Sequence, residues 1–434
     1  MTLRAWIIGA AFALVGAAAW AQSAPTPAGP VADFRRLRAE GVAAINKGDM
    51  DVAARKLAEA DVLIPNHPGL TLLRAKVEAA QDHLTAAMAL VGRYAGFGLS
   101  TDVTTDPVLE RMAIESAFAP ILRQLNANAA PVGRLEIVGS MEGPFIAEGV
   151  VWDEKRRQWL ISGVHGRTIV AVRNDKRLVR FLDARADADA VQGLALDAAH
   201  GVLWAGSSGL PQAKDLPADR RGRAAILKID LASGRLLTRY EAPAAPGPAG
   251  RAFGDLVLGP DGTVYVSDSI TGEIWRLAPG AAALSRLVAP GALGSPQGLV
   301  VTPDGERLIV ADYSSGLNVV EIATGAVSRM PVPANASLLG TDGLIRDRTD
   351  LIAFQNGVAP QRVLRLKLDS AATRIEGWSV LAANLPNIEE PTSGVVVGDD
   401  LVFIGRSQWT DFSGEGPAIR NPPGPAVIVR LKLR

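Results

Sequence analysis

Between residues 148 and 397 one short phrase returns six times, a polar or small residue beside a glycine and then a run of branched apolar residues. Five copies read Glu148-Gly149-Val150-Val151, Gln192-Gly193-Leu194-Ala195, Gln297-Gly298-Leu299-Val300, Asp342-Gly343-Leu344-Ile345 and Ser393-Gly394-Val395-Val396. The remaining copy, third in chain order, reads Gly254-Asp255-Leu256-Val257. Most copies are spaced by about 44 to 51 residues, and the one longer gap, between Gly193 and Asp255, holds the insertion "GLPQAKDLPADRRGR". Runs such as "QWLISGV", "TVYVSDS", "RLIVADY" and "LVFIGRS" lie between Gly, Pro and Asp turns, as strands do. A strand-only repeat of this length is the mark of a β-propeller with four strands to a blade. The fold class expected is an all-β six-bladed β-propeller over residues 133 to 434.

The phrase opens the innermost strand of each blade. Its first residue then faces the central channel, and the small residue after it lets neighbouring blades crowd together near the axis. The channel ring expected is Glu148, Gln192, Gly254 or Asp255, Gln297, Asp342 and Ser393. The final strand, "PAVIVRLKLR", has "GRLEIVGS" near residue 136 as its natural neighbour, a pairing that would seal the ring and remove exposed edges.

Residues 31 to 128 have a different period. Apolar residues fall at helical spacing, with breaks at Gly48-Asp49 and Pro65-Asn66-His67-Pro68. The stretch "EGVAAINKGDMDVAARKLAEADVLIP" resembles a tetratricopeptide repeat, with Gly41, Ala44, Ala53, Leu57, Ala60 and Pro65 at its packing positions. A second unit from Pro68 keeps Ala75 and Ala87, and one further helix is expected over about Pro107 to Leu125. Two units are fewer than an independent solenoid needs, so a helical cap on the propeller is one reading and a protein-binding surface the other.

Residues 1 to 21 place Arg4 before an apolar run and end on Ala19-Trp20-Ala21, the pattern of a cleaved export signal, with residues 22 to 30 as linker. The competing reading is an uncleaved anchor. Cleavage implies a periplasmic or secreted protein with no membrane span. Forty-five basic residues balance forty-five acidic ones, so no field of one sign is available for nucleic acid. The chain has no cysteine, which excludes disulfides and thiolate zinc sites, and HExxH, Walker and G-x-S-x-G motifs are missing too.

Two carboxylates and several amide oxygens converging on one mouth suit a hard cation, calcium first, with magnesium or manganese in stricter geometry and zinc as a further alternative. Such an ion polarises a lactone or ester carbonyl while a carboxylate activates water. Equally, Glu148 and Asp342 could serve only to hydrogen-bond main-chain amides and channel water.

The phrases "AEGVVW", "FGDLVLGPDGTVYVSDS", "SPQGLVVTPDGERLIVADY" and "TDGLIRD" resemble the blade signatures of the senescence marker protein, gluconolactonase and luciferin-regenerating enzyme family. The resemblance spans roughly residues 133 to 434 and implies a six-bladed propeller holding one divalent metal and hydrolysing sugar lactones or related esters. It further implies Glu148 and Asp342 as metal ligands and Asp342 as base. Where the family has asparagine, this chain has Gln297 in blade four and Gly254 before Asp255 in blade three. The metal set expected is therefore Glu148, Gln297 and Asp342, with Asp255, Gln192, His165 and Arg406 toward a small lactone or ester substrate. The altered asparagine positions and the helical segment favour the competing expectation, a non-catalytic propeller that binds a protein or a small ligand. Asp268 and Asp312, at matching strand ends, are expected to tie turns.

Overall fold

The computed structural model describes residues 29–173, 177–414, 416, 418–419 and 422–434. The expected export signal lies outside the described residues, as does most of the linker. Six four-stranded antiparallel sheets are arranged as blades. Their innermost strands are Ala147–Asp153, Phe253–Leu258, Pro296–Val301, Thr341–Asp347, Gly394–Val397 and, in blade two, Ala190–Asp197. Blade six is composite. Its outer strand is Leu135–Met141, from the start of the propeller, paired antiparallel with Ala426–Lys432 from the chain's end. That pairing closes the ring, as the sequence pattern predicts.

Apolar alternation along the strands serves two blades at once. Each gap between adjacent blades holds its own core, such as Leu160, Ile169, Leu203 and Leu227 between blades one and two. Phe354, Phe403, Val427 and Val429 fill the gap between five and six. The second strand of each blade is pressed between both neighbours, so Gln158–Gly163 and Val202–Ser208 are buried along their whole length.

Five of the six inner strands lose register with their partner at the recurrent phrase, between Ala147 and Val150, Val191 and Leu194, Phe253 and Leu256, Pro296 and Leu299, and Thr341 and Leu344. Such a bulge bends the strand and re-aims a side chain. The amide it frees is caught by a serine of the second strand, Ser162 Oγ accepting from Gly149 N at 2.8 Å and Ser267 Oγ from Asp255 N at 3.1 Å. The glycine answers a close approach. A Cβ on Gly343 would collide with the Thr392 carbonyl oxygen, and one on Gly298 with the backbone nitrogen of Leu344.

The amino-terminal segment begins with α1 (Pro30–Lys47), α2 (Met50–Leu63), α3 (Pro68–Ala80) and α4 (Leu84–Gly96), packed as two successive pairs. The breaks at Gly48-Asp49 and Pro65 to His67 fall between helices, and each is closed by a side-chain cap. Asp49 accepts from Val52 N at 3.2 Å, and His67 Nδ1 accepts from Leu70 N at 3.2 Å. Burial lowers the His67 pKa to about 4, keeping the ring neutral and its nitrogen free to accept. The single helix expected over Pro107 to Leu125 is instead broken into α5 (Glu110–Ala113), a 3₁₀ turn (Ser116–Phe118) and α6 (Ala119–Asn128). Proline at the second position of α6 cannot continue a preceding α-helix, because its ring blocks the turn before it.

The helices share a core with Leu339 of the propeller and grip the loops of blades four and five. Arg35 donates to Ser314 Oγ (3.2 Å), Asn66 to Ala336 O (2.9 Å), and Ser100 N to Ala359 O (2.9 Å). These loops either enter an inner strand or leave a second strand. Because the two strands run antiparallel, both kinds of loop emerge at the end where the polar residues of the phrase stand. The helical segment therefore covers part of the channel-mouth face.

Candidate active site

Glu148, Asp255 and Asp342 sit on three inner-strand bulges, and Glu390 on the loop that enters blade six. All four are partly open to the channel yet deep among protein atoms. Glu148 Oε2 accepts from Trp409 Nε1 at 2.7 Å, and Asp342 Oδ2 accepts from Asn356 Nδ2 at 2.7 Å. Loss of water, then the charge of Asp342, holds the Glu148 pKa well above the ordinary carboxylate range against the pull of the Trp409 N–H. Asp342 is raised by loss of water and then by Asp255, against Asn356. Asp255 is pushed up to about 7 by desolvation. Glu390 is also pushed to about 7, chiefly by desolvation, with Glu389 and Asp411 adding like charge. These four groups share one electrostatic environment, and among the described residues no lysine or arginine forms an ion pair with Glu148, Asp255 or Asp342.

The amides of the ring complete the oxygen set. Gln192 is 6% exposed and its Oε1 has no hydrogen-bond partner; the same holds for the buried Glu390 Oε2. Gln297 donates through Nε2 to Ser295 Oγ at 3.3 Å, and its Oε1 extends over Gly254. Among the described residues no three His, Asp or Glu side chains stand together as a ready cation cage. A cation here would rest on two carboxylates and on amide oxygens, a donor set that fits calcium or magnesium and lacks the nitrogen and sulfur ligands of a transition-metal site.

The other expected site residues lie at the rim. His165 Nδ1 meets Gln212 O at 2.8 Å, and its ring packs 5.1 Å from Phe412. Arg406 is 8% exposed and donates to Glu389 Oε2 (2.8 Å), Asp411 Oδ2 (2.7 Å) and Pro425 O (2.6 Å), which makes it a buttress of the blade-six loop. Asp268 and Asp312 tie turns. Asp312 accepts from Gly294 N (2.6 Å), Ser295 N (3.0 Å) and Ser314 N (2.9 Å), locking the entry of blade four to the exit of its second strand.

Sequence reasoning missed Glu390, Asn356 and Tyr313. Tyr313 and Asn356 each stand one residue past the second strand of their blade, next to Asp312 and Gln355. The Tyr313 phenol is raised by desolvation and by Asp342 and Glu390, placing it in the same mouth. Superposing the phrases with this strand end would have shown both. Glu390, at φ 53°, had no comparable signal because loops entering blades do not repeat.

No family model matches the chain, and no curated protein matches it. Solved structures do. A gluconolactonase from Xanthomonas campestris is 20% identical, with 70% of this chain and 92% of that one covered at a TM-score of 0.46. The calcium-binding protein regucalcin from Agrobacterium tumefaciens is 15% identical over 68% of this chain and 93% of its own, TM-score 0.46. The PQQ-bound aldose sugar dehydrogenase of Streptomyces coelicolor is 14% identical over 70% and 99%, TM-score 0.48. The likeness is one of fold. Since one architecture carries different chemistries, the site itself has to carry the functional argument.

Proposed function

We propose that this chain is an exported hydrolase of the lactonase type, acting on a small lactone or ester with a divalent cation, calcium first, at the channel mouth. One observation carries the reading: Glu148, Asp255, Asp342 and Glu390 share a deep mouth, and the first three have no basic partner among the described residues. Glu148, Gln297 and Asp342 would hold the cation, which supplies polarisation of the substrate carbonyl when bound. Asp342 keeps one oxygen outside its bond to Asn356, and that oxygen accepts the proton of the attacking water. A cation held there would favour the ionised form of Asp342, the form a base needs. Gln192 and Asp255 would accept from substrate hydroxyls, with Trp409 beside Glu148 as an aromatic wall.

The test joins metal analysis, melting with and without calcium, and turnover of a panel of lactones and esters by wild type and Asp342→Asn. Support is a calcium-dependent rise in melting temperature and hydrolysis that the variant loses. Metal-free protein indifferent to calcium, with no turnover, would sink the hydrolase. A second reading, ligand binding without turnover, is favoured by the donors that already occupy one oxygen of Glu148 and of Asp342. It predicts saturable binding of a lactone with no product. Export is tested separately, by finding Gln22 as the first residue of protein recovered from the periplasm.

A further inference from the structure

Arg362 opens the third strand of blade five (Arg362–Leu368) and is 1% exposed. Its Nε donates to Gln355 Oε1 at 2.7 Å, and its Nη1 to Phe97 O (2.9 Å) and Gly98 O (2.8 Å), just beyond the C-terminal end of α4. The guanidinium lies 5.3 Å from the ring centre of Trp378. Among the described residues no carboxylate pairs with it, and Nη2 has no protein acceptor. The contrast is Arg251, equally buried, which is paired with both Asp268 and Glu273. Burial lowers the Arg362 pKa to about 9, so the side chain stays charged at neutral pH. Main-chain carbonyls at a helix end offset part of that charge. They do not neutralise it.

Arg362 lines a cavity of about 190 Å³ on the seam between the helices and blade five. Its walls include Val132, Pro360, Trp378, Val380 and Ala383. Asn128 adds no spare donor, because its amide donates to Ala95 O (2.8 Å) and Leu99 O (2.7 Å), and its oxygen accepts from Gln124 (2.8 Å). One charged group, with the exposed Gln124 amide as the further polar side chain, on an otherwise largely apolar wall selects a particular chemistry. A phosphate needs several donors; a carboxylate can be held by the charge-assisted N–H groups of Nη2, the one nitrogen that Gln355, Phe97 and Gly98 leave uncommitted. A cavity of about 150 Å³ accepts a benzene-sized body.

We propose that this seam is a binding site for a small carboxylate with an apolar body, its carboxylate on Arg362 Nη2 and its body against Val132, Val380 and Ala383. The occupant would tie the end of α4 to blade five, and so link the helical segment to the propeller. The site is separate from the channel mouth, and its test is independent of lactone turnover.

The probe is sodium benzoate, titrated into the full chain by calorimetry, with benzamide as the uncharged match. Gly96 is exposed and borders the cavity, and a Cβ there meets nothing within 4 Å, so Gly96→Leu adds bulk at the border of the opening with room for the new side chain. Expected are saturable benzoate binding at one site, benzamide weaker by at least about tenfold, and loss of benzoate binding in a Gly96→Leu variant that melts no lower than wild type. Equal binding of the two probes overturns the proposal, as does undiminished benzoate binding by Gly96→Leu or a benzoate titration that never saturates.

Discussion

Gln297 reaches into the room that Gly254 leaves: a Cβ at position 254 would stand 3.2 Å from Gln297 Oε1. The two departures from the resembled asparagine pattern are therefore one coupled arrangement. Blade four's longer amide extends where blade three has no side chain.

Gly254→Asn alone should crowd Gln297 and lower stability by about 1–3 kcal/mol. The double variant Gly254→Asn with Gln297→Asn should lose clearly less than the sum of the two single changes. Chemical denaturation of all four proteins measures the coupling; simple additivity would show that the side chains do not compete.

Trp409→Phe keeps the ring but deletes the N–H that Glu148 Oε2 accepts at 2.7 Å. Without that donor the ionised carboxylate is less well held, and the Glu148 pKa, already raised, should rise further. Stability should fall by about 1–3 kcal/mol at high pH, where the carboxylate is ionised, and by less at low pH, where the carboxyl is protonated. A loss of equal size at both pH values would point to packing instead.

Asp255 and Glu390 carry pKa values of about 7 in the folded protein against ordinary values of 3.8 and 4.5. Between those limits the native state binds more protons than the unfolded chain, so stability falls as pH rises from about 4 to about 7 and then levels off. For these two groups the penalty is absent below the unfolded values and complete above the folded ones. Melting of metal-free protein across that window should show the decline, and Asp255→Asn should flatten it. A melting temperature that climbs over the same range would contradict the pKa assignment.

Gly343→Ala should be severely destabilising, because the new methyl group meets the Thr392 carbonyl of the next blade. Gly377→Ala is the control, since a Cβ there meets nothing within 4 Å. Thermal melting of both variants separates blade crowding from a general intolerance of side chains at glycine.

Blade number and closure were legible because both follow from local pattern. Each unit repeats its phrase, and a propeller places equivalent residues at equivalent radii. Asp342, Glu148, Gln192 and Gln297 could thus be put on one channel from spacing alone. Asp268 and Asp312 were legible as turn anchors for the same reason. Glu390 and the Arg362 cavity were not, because neither belongs to the repeat. Glu390 reaches the mouth on a single irregular loop, and Arg362 meets Phe97 and Gly98 across 264 residues or more of sequence.

What the sequence by itself determined is the ring: six copies of one phrase require six blades, and the period-2 alternation decides which side chains turn inward. Only tertiary structure decided how the carboxyl groups titrate and where the helices rest. Proton affinity depends on water excluded and charges gathered from several blades, and the docking of α1 to α4 on the channel-mouth face depends on shapes that no single segment encodes.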